Sequence, residues 1–192
     1  MGQQFEDQSY TNEDFKEKKL TRGDYEYCNF INCDFSSADL FAIKFVECNF
    51  TGCNLSMANV GDVVLRDIVF KDCKMLGVRF DTCSDFGLSF SFENCVLDHS
   101  SFYETKIRKT IFKNCQLKEI DFTGCDLTGA VFSNCDFQRA LFENTILEKA
   151  DFRTSYNYAI DPSFNKIKKA TFSLSAVAGL LGKYDIEIDS KS

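Results

Sequence analysis

A chain of 192 residues with 44% hydrophobic content can bury one core, and a formal net charge of -7 argues against the basic surface typical of nucleic-acid binders. Twenty-one Phe with no Trp, ten Cys, one Pro and one His form the skew produced when one short pattern is copied many times. No stretch approaches the roughly 18 apolar residues of a membrane span, and the start, MGQQFEDQSY, has neither a basic nor an apolar leader region, so a soluble, cytoplasmic protein is expected.

Every fifth residue from Phe5 is apolar: Phe5, Tyr10, Phe15, Leu20, Tyr25, Phe30 and onward without exception to Phe80. After a slip of two residues the series resumes at Phe92 and runs, again without a polar member, to Phe152. A second column lies two residues before each of these and is mostly small: Cys28, Cys33, Ala38, Ile43, Cys48 and Cys53 near its start, Cys125, Ala130, Cys135 and Ala140 near its end. A period of five fits neither the helical 3.6 nor the alternation of a plain strand. It fits a chain that turns a corner every five residues. Residues two apart on a short extended segment point the same way, so both apolar columns face inward. Four sides then close a square coil of twenty residues.

All ten cysteines occupy the small column, where a free thiol serves as a compact buried hydrophobe with a weak donor. No CxxC occurs, so core filling is preferred to metal or redox roles. Twenty-residue spacing stacks Cys33, Cys53 and Cys73, and likewise Cys95, Cys115 and Cys135. Parallel inward side chains rarely meet the disulfide dihedral, and free thiols are expected. Between the two columns stands a residue that is often Asn or Asp, such as Asp34, Asp39, Asn54, Asn59, Asp121, Asp126, Asp136 and Asp151. Side chains of this kind satisfy local backbone groups at turns.

The runs CNFIN, CDFSS, ADLFA, CNFTG, CNLSM, CQLKE, CDLTG, CDFQR and ADFRT resemble the pentapeptide-repeat family, whose unit is written A(D/N)LXX with Cys often replacing Ala. The resemblance is strong over residues 24 to 154 and weak over 3 to 23. It implies an all-β fold, a right-handed quadrilateral β-helix, with the large residue stacked at the middle of each side.

The segment DTCSDFGLSFSFENC breaks the pattern: Asp85 falls on a core slot, Phe86 lies one step late and Phe90 puts a ring in the small column. Either Phe86 is a shifted core residue or residues 81–91 carry a tight two-residue bulge. After Phe152 the period stops, and SYNYAIDPSFNKIK, with Pro162, reads as a loop. One returning repeat, KKATF, precedes an expected short helix from about Ser175 to Leu181, capped by Ser173 or Ser175 and stopped by Gly182. The domain reading is therefore a solenoid over 1–154 and a loop, last repeat and cap over 155–192. A solenoid end must be covered or paired, and Val177, Leu180, Leu181, Tyr184, Ile186 and Ile188 suit that task. The Leu-Leu pair followed by alternating Tyr-Asp-Ile-Glu-Ile is similar to the C-terminal dimerisation segment of Qnr-type members of the family, which implies a homodimer.

No arrangement of acid, base, nucleophile or cofactor cradle is evident, and GxxxxGK[ST], GxGxxG, HExxH and GxSxG are all missing, so no enzyme, metal or cofactor is expected. Lone His99 reads as a solvated surface residue. Residues 1–85 hold 15 acids against 9 bases, whereas residues 153–192 hold 4 against 6. On the twenty-residue period Glu6, Asp7, Glu26, Glu47 and Asp67 share one outer face opposed only by Lys44 and Arg66. An acidic rod can occupy a basic DNA-binding groove. The Qnr-type resemblance implies a DNA mimic that binds a type II topoisomerase, DNA gyrase or topoisomerase IV, and modulates it or protects it from quinolones, without binding nucleic acid itself. The long projecting loops of the best-known Qnr proteins are lacking here, a departure that bears on quinolone protection. The alternative is a general protein-interaction scaffold using outward apolar residues, Ile31, Phe41, Val46, Leu76 and Tyr103.

Overall fold

The computed structural model describes residues 2–184 and 186–189. The five-residue unit folds as the sequence predicts, into an all-β, right-handed quadrilateral β-helix. One side of the square is a four-stranded parallel sheet of β1 (Gln3–Glu6), β3 (Gly23–Glu26), β5 (Lys44–Val46) and β7 (Val64–Arg66). The adjoining side is a nine-stranded parallel sheet of β2 (Ser9–Thr11), β4 (Asn29–Ile31), β6 (Asn49–Thr51), β8 (Ile68–Lys71), β9 (Phe90–Glu93), β10 (Ile111–Lys113), β11 (Val131–Ser133), β12 (Asp151–Phe152) and β13 (Thr171–Phe172). The other two sides are ladders of isolated parallel bridges such as Asp34↔Asn54 and Ser101↔Asp121.

Stacking identical positions at the strand spacing of about 4.8 Å brings like side chains into van der Waals contact along the axis. On the nine-stranded side this produces one continuous aromatic column: Tyr10, Phe30, Phe50, Phe70, Phe92, Phe112, Phe132, Phe152 and Phe172, with successive centroids 4.7 to 5.4 Å apart. Rings of neighbouring sides meet edge-on instead, as Phe132 and Phe137 do at 76°, and so do rings of opposite sides, as Phe112 and Phe122 do at 84°. Stacking along the axis and edge contacts across it are the two favourable quadrupole geometries. A Phe column thus fills the square without Trp.

The corners are as regular as the sides. The second residue after most core residues adopts φ near +50 to +70°, as at Ser37, Ala42, Met57 and Gly129. On the bridge-built sides the core carbonyl then accepts the N–H three residues on, Phe35 O from Ala38 N at 2.9 Å for example, which is a type II turn. The Asx residue between the apolar columns braces it: Asp34 accepts from Ser36 N at 2.8 Å, Asp121 from Thr123 N at 2.9 Å and Asp136 from Gln138 N at 3.2 Å. Asn29 and Asn49 lie on the strand-built side and hydrogen-bond each other at 3.0 Å instead.

All ten cysteines are buried free thiols, as expected. The thiols of Cys33, Cys53, Cys73, Cys95, Cys115 and Cys135 each donate to the carbonyl of the core residue one coil below, at 3.3 to 3.7 Å. Ser155 Oγ continues the series onto Phe132 O at 2.9 Å. The six cysteines therefore form one column. Burial pushes the Cys125 thiol up to about 12 and that of Cys48 up to about 11.

The slip resolves as a bulge. Ile68 pairs with Phe90 and Phe70 with Phe92, so the register across it is 22 residues. Phe86 is 76% exposed and is not a shifted core residue. Phe90 does fill the small column, 6% exposed, and Leu88 packs on the core from the edge. The two extra residues leave the wall on the four-stranded side, and that sheet ends at β7.

Two expectations for the C-terminal region need correction. Residues 155–168 are not a free loop but most of another coil, so a boundary at 154 cuts the solenoid, which winds on to Phe172. The period is masked there because Tyr158 enters the core one step late and because a small-column position next to in-register Ile160 is polar but partnered: buried Asn165 donates to Phe142 O at 2.9 Å. The helix is a 3₁₀ segment, Leu174–Leu180, with no side-chain cap from Ser173, whose hydroxyl meets that of Ser175 at 3.2 Å. Gly182 does not end it but opens a second 3₁₀ turn, Gly182–Tyr184. Residues 186–189 form no strand, and residues 190–192 of the expected cap lie outside the described residues.

Candidate functional site

Outward positions are addressed by the same twenty-residue lattice, so a surface column is read from register. Glu6 pairs with Glu26 across β1 and β3, and Asp7, Tyr27, Glu47 and Asp67 follow one another at the next corner position, linked by Asp7 N to Glu26 O at 3.1 Å, Tyr27 N to Val46 O at 3.1 Å and Glu47 N to Arg66 O at 2.8 Å. The five predicted acidic residues do share one edge of the rod. Glu6, Asp7, Glu47 and Asp67 are exposed and none has a cationic partner among the described residues. Glu26 is half-buried and ion-paired with Lys44 at 3.3 Å, a lysine that also meets Asp24 at 3.2 Å. Tyr27 Oη donates to Glu47 at 3.3 Å, and that carboxylate raises the phenol above its ordinary value. Asp67 is tied to the bulge, its N–H donating to Ser89 Oγ at 2.7 Å and its carboxylate accepting from the same hydroxyl at 2.9 Å.

Beyond the bulge the same side and corner change sign. Lys106, Arg108, Lys109, Lys149, Lys166, Lys168 and Lys169 follow in register, against Asp126 and Glu148. Arg108 pairs with buried Asp126 at 2.6 Å. Burial works to raise that carboxyl, but Arg108 and Thr128 outweigh it and hold the group below the usual carboxylate range. Segment totals of charge do not show this basic half, because the slip changes the address of each column from 20 to 22 residues.

The apolar candidates do not form a patch. Ile31, Phe41, Leu76 and Tyr103 fall on three different corners, and Ile31 and Leu76 are only partly exposed. Phe41 is 39% exposed and carries Arg22 over its ring at 5.7 Å. Val46 is not exposed at all but 2% accessible, because β5 is an inner strand and its register neighbours are the long side chains of Glu26 and Arg66. The most exposed aromatic ring of the coils is Phe86, on the bulge. His99 is not merely solvated: its Nδ1 lies 3.4 Å from Glu119, which also pairs with Arg139.

At the C-terminal end the 3₁₀ segment covers the last coil. Ile160 N donates to Gly179 O at 2.9 Å, and a Cβ on Gly179 would stand 2.1 Å from Tyr158 O, so only glycine permits this approach. Leu180 and Ala176 pack on the core, and Val177 and Leu181 are half-buried. Tyr184, Ile186 and Ile188 remain more than half exposed, at 59%, 56% and 51%.

Among the described residues no three His, Cys, Asp or Glu side chains converge as metal ligands, and no helix is long and apolar enough to cross a membrane. An open groove of about 320 Å³ lies beside the bulge between Asp67 and Lys109.

Comparison with known proteins accords with this geometry. No curated protein matches the chain. Among solved structures, that of QnrB1, a plasmid-mediated fluoroquinolone resistance protein, is 20% identical and is similar over 96% of this chain and 100% of its own, with a TM-score of 0.50. HetL, a pentapeptide-repeat protein involved in heterocyst differentiation regulation from the cyanobacterium Nostoc sp. strain PCC 7120, is 15% identical over 89% of this chain and 84% of its own, with a TM-score of 0.45. The family model for pentapeptide repeats in eight copies matches residues 28–67 and 48–84, and that for a pentapeptide repeat region matches 88–158, so that together they span most of the coils on both sides of the bulge. The chain belongs to the pentapeptide-repeat family.

Proposed function

We propose that this protein is a non-catalytic DNA mimic whose acidic edge enters the DNA-binding groove of a type II topoisomerase, DNA gyrase or topoisomerase IV, and modulates the enzyme or protects it from quinolones. The observation that carries the reading is the edge itself: carboxylates repeat along a wall whose spacing is fixed by parallel strands, so the charge is presented without an entropic cost of alignment. Complementary fields of this kind steer association and set orientation. QnrB1, a fluoroquinolone resistance protein of like fold, is consistent with the quinolone part of the reading. A scaffold reading through outward apolar residues has less support, since those residues are dispersed.

A supercoiling assay tests the proposal. The protein is expected to alter gyrase supercoiling, or its sensitivity to a quinolone, at micromolar concentration, and Glu47→Lys with Asp67→Lys is expected to remove the effect. An unmodified protein that changes neither quantity overturns it. Homodimerisation through the tail is a second part of the proposal, resting on the apolar side chains of Tyr184, Ile186 and Ile188 that the cap leaves in solvent. Sedimentation velocity checks it: Ile186→Asp with Ile188→Asp is expected to shift a dimer toward monomer, and an unchanged dimer counts against the tail.

A further inference from the structure

The edge that bears the acidic residues is dipolar. On the side and corner of the four-stranded sheet, residues before the bulge present six acids against two bases, and residues after it seven bases against two acids. The two stretches are of equal length: Asp7 to Asp67 covers three coils, and so does Lys109 to Lys169. At about 4.8 Å per coil each is about 14 Å long. The bulge lies midway, and at its tip stands Phe86, 76% exposed. Lys106, Lys109, Lys149, Lys166, Lys168 and Lys169 are exposed, and none has an anionic partner among the described residues.

We propose that this edge is a self-complementary surface on which a second copy of the chain lies antiparallel, with the two-fold axis passing through the bulge. An isologous contact requires that the surface match its own image after a half-turn. A half-turn about residue 86 sets Glu6 and Asp7 of one copy opposite Lys168 and Lys169 of the other, Lys44 opposite Asp126, and Asp67 opposite Lys109, with Lys149 beside Glu26. Like charges approach at two places, Arg66 with Arg108 and Glu26 with Glu148, each beside an opposite charge, Asp67 and Lys149. The two Phe86 rings meet at the centre, where an apolar anchor ringed by charge is the usual arrangement of a contact with a defined register. A polyanion could satisfy the basic half alone. It would leave the opposite charge of the acidic half and the central position of Phe86 without a role, and the second copy accounts for all three.

This pairing goes beyond the topoisomerase proposal and does not depend on it, nor does it use the tail. It has a consequence for that proposal: the acidic edge is covered in the pair, so self-association and capture of a basic groove compete.

The test is a charge swap, carried out with Ile186→Asp and Ile188→Asp throughout so that no tail contact contributes. One variant reverses the basic half (Lys149→Glu, Lys168→Glu, Lys169→Glu); the other reverses the acidic half (Glu6→Lys, Asp7→Lys, Glu26→Lys). Native mass spectrometry and sedimentation velocity at 50 mM and 500 mM salt are expected to show a dimer for the parent that weakens about tenfold or more at the higher salt. Each swapped variant alone is expected to be monomeric, and an equimolar mixture of the two to form a one-to-one heterodimer. Phe86→Ser in the parent is expected to weaken the pair without changing its melting temperature. Rescue in the mixture excludes misfolding as the cause of the single losses. A parent that stays monomeric at 100 micromolar and low salt overturns the inference. So does a swapped pair that fails to associate, or a basic half that retains a short DNA duplex probe while the protein remains monomeric.

Discussion

Two adjacent sides of this solenoid meet the same two-residue insertion and answer it differently. The nine-stranded side carries its ring column through residues 70 to 92 with a centroid spacing of 5.3 Å, indistinguishable from the steps on either side. The four-stranded side loses its sheet at β7 and throws residues 85–87 outward. Interior packing is intolerant of a missing ring, whereas a wall strand exposed on its outer face can be traded for a turn. Ser89 shows how the trade is made, since its hydroxyl takes the Asp67 N–H that the interrupted ladder leaves free.

The largest effect that would test this contrast is truncation within the column. Phe112, fully buried between Phe92 and Phe132, is expected to cost about 3–5 kcal/mol on substitution by Ala, read from the denaturant midpoint. A loss below 1 kcal/mol would show that the column relaxes and that the contrast is unfounded. Next in size, Arg108→Ala leaves the buried Asp126 carboxylate without its cation and is expected to lower the denaturant midpoint by less than the Phe112 truncation does, the Thr128 donors limiting the loss.

Acid should act through the same group and through Asp151, which Arg153 holds at about 2. Both carboxyls have native values below their unfolded ones, so their contribution is complete above about pH 4 and is lost as pH falls through the native values. The melting temperature is therefore expected to decline between about pH 4 and pH 2, and less steeply in Asp151→Asn. A variant with the parental slope would remove Asp151 from the account. Smaller again, deletion of Phe86 and Gly87 restores a twenty-residue coil and is expected to change stability by less than about 1 kcal/mol, as befits exposed chain. Loss of folding on that deletion would mean the bulge is structural. The smallest change expected is at a corner: Ala42 sits at φ 59°, and Ala42→Gly is expected to add about 0.5 kcal/mol, visible as a slightly higher midpoint.

The coil, its two inward columns, the buried thiols and the Asx braces were legible because each is enforced at every repeat, and Phe30, Cys53 and Asp34 restate what their neighbours already say. Residues 155–172 were not, since Tyr158 and Asn165 solve the same packing problem with different residues, and a pattern search sees only the pattern. Val46 was misjudged because outward does not mean exposed on an inner strand. The acidic edge was legible from period alone, but its basic continuation was hidden by a shift of two in the count. What the edge does for the cell is carried by no single residue type, and so by no motif.

The corner geometry has a further consequence, for how such a surface can change over generations. Because five residues make one side, a gain or loss of five turns everything downstream by a quarter revolution, and the acidic and basic halves would then look in different directions. A gain of twenty only lengthens the rod and keeps them in line. Two residues do neither, and the chain has to discard them sideways, at Phe86, to keep its bearings.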